Sequence, residues 1–296
     1  MRITNNMLSQ NLLRNLETAQ GRMGQLQNQL SSGHRISRPS DDPVGIQNAM
    51  RLKSNISSVE QWKSNADEAI GYMNTTDSTL GDMTSMLQRV RELTVQGANG
   101  TLAADDRIAI ANEVYQISDQ LKMMANTQIG SKYIFSGTAT DKELIPLDGS
   151  SSKANGQAVK FEVGNNLDLS ISVNGRTLFG DTTTTPLGIL ATLDKLRTAL
   201  KNNDSTGIND GLGNIDANIS NVITHRSDLG ARTNRMTAIR SQLDSTSTNL
   251  QQNLSDVQDV DMAKTITDFT NQENVYKAAL AVGAKIIQPS LVDFMR

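Results

Sequence analysis

The sequence contains no cysteine. Disulfides, thiolate metal sites and cysteine nucleophiles are therefore excluded. Aromatic residues make up only 3% of the chain, against a hydrophobic share of 37%. Compact cores lean on Phe, Tyr and Trp. This composition suits long helices packed pairwise, where Leu, Ile, Val, Met and Ala fill a narrow seam. Histidine occurs only as His34 and His225, in different segments and outside any HExxH pattern, so zinc catalysis is not expected. Neither GxxxxGKS, GxGxxG nor GxSxG is present. No catalytic, cofactor-binding or metal-ligating set is expected, and the chain reads as non-enzymatic. A large excess of charge of either sign is also lacking. The net charge is −3, the pI is about 5.5, and no Lys/Arg run occurs, so nucleic acid is not an expected partner. No segment approaches the ~20 apolar residues that span a bilayer, so membrane insertion is not expected either. Met1–Asn6 carries no apolar signal-peptide core. That leaves a cytoplasmic protein, or export by a route that cleaves no signal.

Proline is scarce, and its positions organise what is there. The five prolines are Pro39, Pro43, Pro146, Pro186 and Pro289. Two proline-free windows of equal length, 44–145 and 187–288, are where long helices can run, because proline breaks helix interiors. Leu12, Leu16, Ala19, Met23, Leu26 and Leu30 step by four and three, the coiled-coil rhythm. Ser31-Ser32-Gly33 reads as the C-cap of that first helix. Asp42 reads as an N-cap and Pro43 as the first residue of a second helix, running to about Gly97. Such a helix spans about 80 Å, which predicts an elongated molecule. A shorter helix follows, with Asp105 and Asp106 at its start and Ile110, Val114, Ile117, Leu121 and Met124 on one face. Helix capping is the favoured role for both acid pairs, Asp41-Asp42 and Asp105-Asp106, over cation binding or acid–base work. His34 reads as a solvated loop residue.

The middle of the chain changes character. Val159, Phe161 and Val163 alternate with polar residues, as do Leu167, Leu169, Ile171 and Val173 after Gly164-Asn165-Asn166. Period-two alternation across a Gly-containing turn predicts a β-hairpin. Asn174-Gly175 reads as a second turn, and Thr182-Thr183-Thr184-Thr185-Pro186 as the end of a small β-rich insert over 131–186. Helix resumes near Leu187, is interrupted at 202–207, and then carries one apolar heptad position through Ile215, Val222, Leu229, Met236, Leu243, Leu250 and Val257. The other seam position is half polar, holding Arg226, Thr233, Arg240 and Ser247. That pattern reads as one wall of a multi-helix bundle.

The chain is nested, so pairing the long helices brings residues 1–42 beside 258–296. The expected fold is mainly α: an elongated antiparallel helical-bundle or coiled-coil rod with a small β-rich insert at the hairpin end. The expected segments are 1–42, 43–130, 131–186, 187–257 and 258–296. The candidate functional residues are the apolar faces of the two terminal helices: Leu12, Leu16, Met23, Leu26 and Leu30, with Met262, Ile266, Phe269, Leu280 and Ile287. Tyr276 lies on the same C-terminal stripe, and Leu291–Met295 adds an apolar tail beyond Pro289. These faces can close on each other as an intramolecular bundle, or meet neighbouring subunits and order on assembly.

Two stretches are more specific. Leu30-Ser31-Ser32-Gly33-His34-Arg35-Ile36 followed by Asp41-Asp42-Pro43-Val44-Gly45, and Arg91-Glu92-Leu93-Thr94-Val95-Gln96-Gly97-Ala98-Asn99-Gly100-Thr101, resemble the helical arms of the bacterial flagellin family. Within it, Tyr133-Ile134-Phe135-Ser136-Gly137-Thr138 resembles the subunits between hook and filament more than those of the filament itself. So do the Met1-Arg2-Ile3-Thr4 start and the Leu291–Phe294 end. The resemblance implies a structural subunit of the extracellular flagellum that forms a homo-oligomeric ring. It implies export through the flagellar channel without signal cleavage. Its partners would be the hook-side junction protein, the filament flagellin and a cytoplasmic export chaperone that binds the C-terminal helix. The terminal segments 1–42 and 258–296 would form an inner tube, the long helices the next layer, and the insert would face outward. A minor flagellin that polymerises as the filament is the alternative.

Overall fold

A computed structural model describes residues 5–145, 155–179 and 188–287, with side chains assigned for all but the first two and last three of these. Pro146, Thr182–Pro186, Leu187, Pro289 and the apolar tail lie outside the described residues, as do the first four. The described chain is mainly α, and it divides into two units: residues 1–58 with 246–296, and residues 59–245. This partition differs from the five expected segments. It places the start of the second helix with the terminal helices and leaves the insert with the helices that flank it.

Helix α1 is Asn5–Ser32 and α2 is Pro43–Gly97. Gly33 ends α1 with φ of 71°, a backbone that glycine adopts without cost. Asp42 caps α2: its Oδ1 accepts the amides of Val44 and Gly45 at 3.1 and 2.9 Å. Asp41 serves the preceding turn, with Oδ2 accepting the amides of Ser37 and Arg38. Helix α3 is Ala104–Ala125, with Asp105 and Asp106 in its first turn. Four short strands and one short helix follow: β1 Gln128–Ile129, β2 Lys132–Tyr133, β3 Lys160–Glu162, β4 Asp168–Ser170 and α4 Gly175–Phe179. Then come α5 Ile189–Lys201, α6 Ser205–Gln258 and α7 Met262–Ile287.

In the 59–245 unit, α2 and α6 run antiparallel. Asp67 pairs with Arg240 at 2.7 Å, Asp77 with Arg226 at 2.9 Å, Arg91 with Asp216 at 2.6 Å, and Lys63 with Asp244. The half-polar seam of α6 thus meets acids on α2. These pairs are half exposed and screened by solvent, so they add little stability, but they disfavour other registers. The expected heptad of α6 is buried at Ile215, Val222, Leu229, Met236 and Leu243. On α2 the buried positions include Ala66, Ala69, Met73, Thr76, Leu80, Met83, Leu87, Val90, Leu93 and Thr94. The buried threonines return their hydroxyls to their own helix: Thr76 to Tyr72 O, Thr94 to Val90 O. Faces of α3 and α5 close the bundle through Ile110, Val114, Leu121, Leu193, Leu196 and Leu200. Full burial of each leucine contributes about 1.5–3 kcal/mol.

Strands β3 and β4 form the expected antiparallel hairpin, with Phe161 opposite Leu169. Its turn holds Asn166 at φ of 59°. Two details go beyond the expectation. A second hairpin, β1–β2, turns at Gly130 with φ of 61°, and Asn174-Gly175 starts α4, where Asn174 Oδ1 accepts the Arg176 amide. Elements this short leave no periodicity to read.

Candidate assembly surface

The Gly33–Arg35 and Gly97–Thr101 loops hold helix ends together. His34 is not simply solvated: Nδ1 lies 2.9 Å from Asp259 Oδ1, both side chains being nearly half exposed. Hydrogen bonds from Ser255 and then His34 hold the Asp259 carboxyl below its usual range. The Arg35 amide donates to Gln258 O at 2.7 Å, the Arg35 guanidinium to Val257 O at 2.8 Å, and the Val260 amide to Gly33 O at 3.0 Å. Ile36 is buried beneath this loop. The Gly97–Thr101 segment is gathered by Arg107, itself buried, which donates to Gly97 O at 3.0 Å, Asn99 O at 2.9 Å and the Asn203 side chain. Both stretches therefore do structural work at helix ends.

The Tyr133–Thr138 segment is likewise a core element. Ile134, Phe135 and Ser136 are fully buried, and Phe135 meets Phe179 edge-on at 5.7 Å. The Tyr72 hydroxyl donates to Ile134 O at 2.6 Å, and burial pushes its pKa up to about 12. At Gly137, φ of 64° and the Asn155 carbonyl leave no room for a side chain. The insert is thus bolted to α2 at its base.

Surface with unexplained chemistry lies on the terminal helices. Helices α1 and α7 pack together, antiparallel: Gln272 Nε2 reaches Ala19 O at 3.5 Å, and Leu12 sits directly over Gly283. On α1 the packed face is the expected stripe, with Ala19 buried and Leu12, Leu16, Met23, Leu26 and Leu30 half-buried. On α7 the packed face is Thr265, Phe269, Gln272, Tyr276, Ala279 and Gly283. Of the expected α7 stripe, on which Glu273 and Gly283 also fall, Phe269, Tyr276 and Gly283 lie on that face. Met262, Ile266 and Leu280 are 44%, 51% and 46% exposed, and the Ile287 side chain lies outside the described residues. The helical repeat puts Met262, Ile266 and Leu280 on one flank of the packed face and Val275 and Val282 on the other. Val275 and Val282 are exposed too, as are Met7 and Leu13 on α1. Their sequence signal is an apolar residue off the main stripe, as in the Leu12-Leu13 doublet. The terminal pair is therefore a two-helix unit with apolar flanks facing outward. Among the described residues no helix is long and apolar enough to cross a membrane, and no cluster of three or more metal-type ligands occurs.

An antiparallel terminal helix pair with exposed apolar flanks in one unit and a capped helical bundle in the other define the class of a helical structural subunit. Residues 3–140 match the bacterial flagellin N-terminal helical region and residues 212–295 the bacterial flagellin C-terminal helical region. The chain belongs to the bacterial flagellin family, and it is a structural, non-enzymatic component of the flagellum. It is 30% identical to the flagellin of Bacillus subtilis, covering 97% of each chain. It is 27% identical to flagellar hook-associated protein 3 of Escherichia coli, covering 94% of this chain and 95% of that one. Among solved structures, FlgL of Bacillus cereus shares the fold with a TM-score of 0.58 at 22% identity, over 69% of this chain and 99% of that one. Flagellar hook-associated protein 3 of Legionella pneumophila does so with a TM-score of 0.63 at 15% identity, over 70% and 98%.

Proposed function

We propose that the chain is the junction subunit between hook and filament, and that it provides the platform on which the filament assembles. The observation that carries this reading is the Tyr133–Thr138 segment, buried at Ile134, Phe135 and Ser136, whose sequence resembles junction subunits and which anchors the insert to α2. The likeness to the Escherichia coli hook-associated protein along nearly the whole chain supports it. Subunits form a ring. Their terminal segments, 1–42 and 258–296, line the axis, and the exposed flanks of α1 and α7 bury against neighbouring copies and against the hook-side and filament subunits. Segments 43–130 and 187–257 form the next layer, and 131–186 faces outward. Each apolar side chain taken from water adds about 1.5–3 kcal/mol at full burial, so a few such contacts per subunit hold a ring. The chain leaves the cell through the flagellar export channel without signal cleavage, escorted beforehand by a chaperone on its C-terminal helix. The absence of cysteine suits passage through a narrow conduit, since no disulfide can form on the way.

Deleting the gene and assaying the culture medium tests this. Bare hooks with flagellin monomers accumulating outside are the expected result. Intact filaments would overturn it. The second reading, a minor flagellin, is favoured by relatives such as the Bacillus subtilis flagellin. It predicts that the purified chain extends filament seeds without limit, whereas a junction subunit stops after a ring.

A further inference from the structure

We propose that Gly33–Arg35 and Val257–Val260 form a clasp that sets the register of α1 against α7, making His34, Arg35 and Asp259 positioning residues for the terminal surface. The need for such a device follows from the packed faces. Leu12, Leu16, Ala19, Met23, Leu26 and Leu30 repeat at near-equal spacing, and their partners include Thr265, Gln272, Ala279 and Gly283. A seam this repetitive and thinly apolar buries similar area after a slip of one turn, so packing along most of its length selects no single register. The clasp does select one. His34 and Asp259 form an antiparallel bridge, flanked by the Arg35 amide on Gln258 O and the Val260 amide on Gly33 O. The Arg35 guanidinium on Val257 O and the His34–Asp259 contact complete it. All of these break together if α1 moves along α7. Gly33 permits the geometry through its φ of 71°. At the far end Leu12 lies over Gly283, where an added Cβ would come within 2.6 Å of it. A slip would put Ala279 there instead. Register matters because the outward flanks are composite, with Met7 and Leu13 from one helix and Val275, Val282 and Leu280 from the other. A slipped pair presents a different surface.

The cysteine-free sequence makes the test clean. Two reporters are built in the full-length chain: Leu12→Cys with Gly283→Cys, in register, and Leu12→Cys with Ala279→Cys, one turn off. Each is made with the clasp intact and with His34→Ala, Arg35→Ala and Asp259→Asn combined. Monomers are oxidised with glutathione disulfide, and intramolecular cross-links are counted by peptide mass analysis. The fluorescence of Trp62, in the other unit, verifies that each variant is folded. With the clasp intact the in-register link dominates. With its side-chain contacts removed, the ratio of off-register to in-register link rises at least tenfold. An unchanged ratio overturns the proposal. So does a parallel collapse of both links, which would make these residues struts for helix pairing rather than register setters. The readout needs no flagellum, so it stands or falls independently of the junction reading.

Discussion

The two units bury their chains in opposite ways. In the 59–245 unit, four helices and the insert share one continuous apolar core running from Ala66 to Met236. In the terminal unit the fully buried apolar side chains, among the described residues, are Ala19, Ile36 and Ala49. Apart from Ile36, large apolar side chains there are half-buried or exposed. The contrast teaches where stability comes from in an assembly subunit. One unit is folded by its own interior, and the other leaves much of its apolar surface, Met7, Leu13, Ile266 and Val282 among it, exposed in the single chain.

Hydrogen exchange offers the largest effect with which to break this comparison. Amides of α1 and α7 in the monomer should exchange about a thousandfold faster than those of α2 between Ala66 and Val90, read by mass spectrometry of peptides. Equal protection would erase the distinction. Next in size is Leu80→Ala in the deep core, which should lower unfolding free energy by about 2–5 kcal/mol in urea titrations followed at Trp62. The same change at half-buried Leu26 should cost about 1 kcal/mol and leave the Trp62 transition in place. A third test uses alkali. The Tyr72 pKa is raised to about 12 from a model-compound 10.0, so the folded state holds the proton more tightly than the unfolded one. That contribution is complete below pH 10 and is lost as pH climbs toward 12, by about 3 kcal/mol in all. Tyr72→Phe should be less stable at neutral pH, having left Ile134 O without its donor, and should lack the steep alkaline loss. The smallest effect belongs to the exposed ion pairs. A double-mutant cycle on Asp67 and Arg240 should give under ~1 kcal/mol, falling further in 1 M salt.

The helix limits were legible because their causes are local. Asp42-Pro43 caps and starts α2, and the glycine of Gly97-Ala98-Asn99-Gly100 ends it, wherever the rest of the chain lies. The hairpin at 160–170 was legible for the same reason, through alternation and its turn. The seam of α6 was legible as an apolar heptad, but its polar half became meaningful only once Asp67 and Asp77 were seen opposite. The packed face of α7 was legible only in part, at Phe269, Tyr276 and Gly283. Apolar periodicity located Met262, Ile266 and Leu280, yet the helix turns Thr265, Gln272 and Gly283 toward α1. Small and amide side chains let two helices come close while giving little apolar signal. Periodicity finds the greasiest face, and here that is not the face the chain covers itself. Arg107 escaped notice because nothing about a lone arginine near a helix start announces that three oxygens will converge on it.

The base of the insert has a practical consequence. Asn126 brackets the backbone of Ile145 with two hydrogen bonds, giving one to its carbonyl at 2.6 Å and accepting one from its amide at 3.0 Å. The chain is thereby riveted to the end of α3 at Ile145. A foreign peptide grafted after Ile145 starts from a fixed post, and its motions are earthed at Asn126 before they reach the helices. Such a graft makes the subunit a display scaffold whose cargo can change in length and sequence without retuning the bundle beneath it.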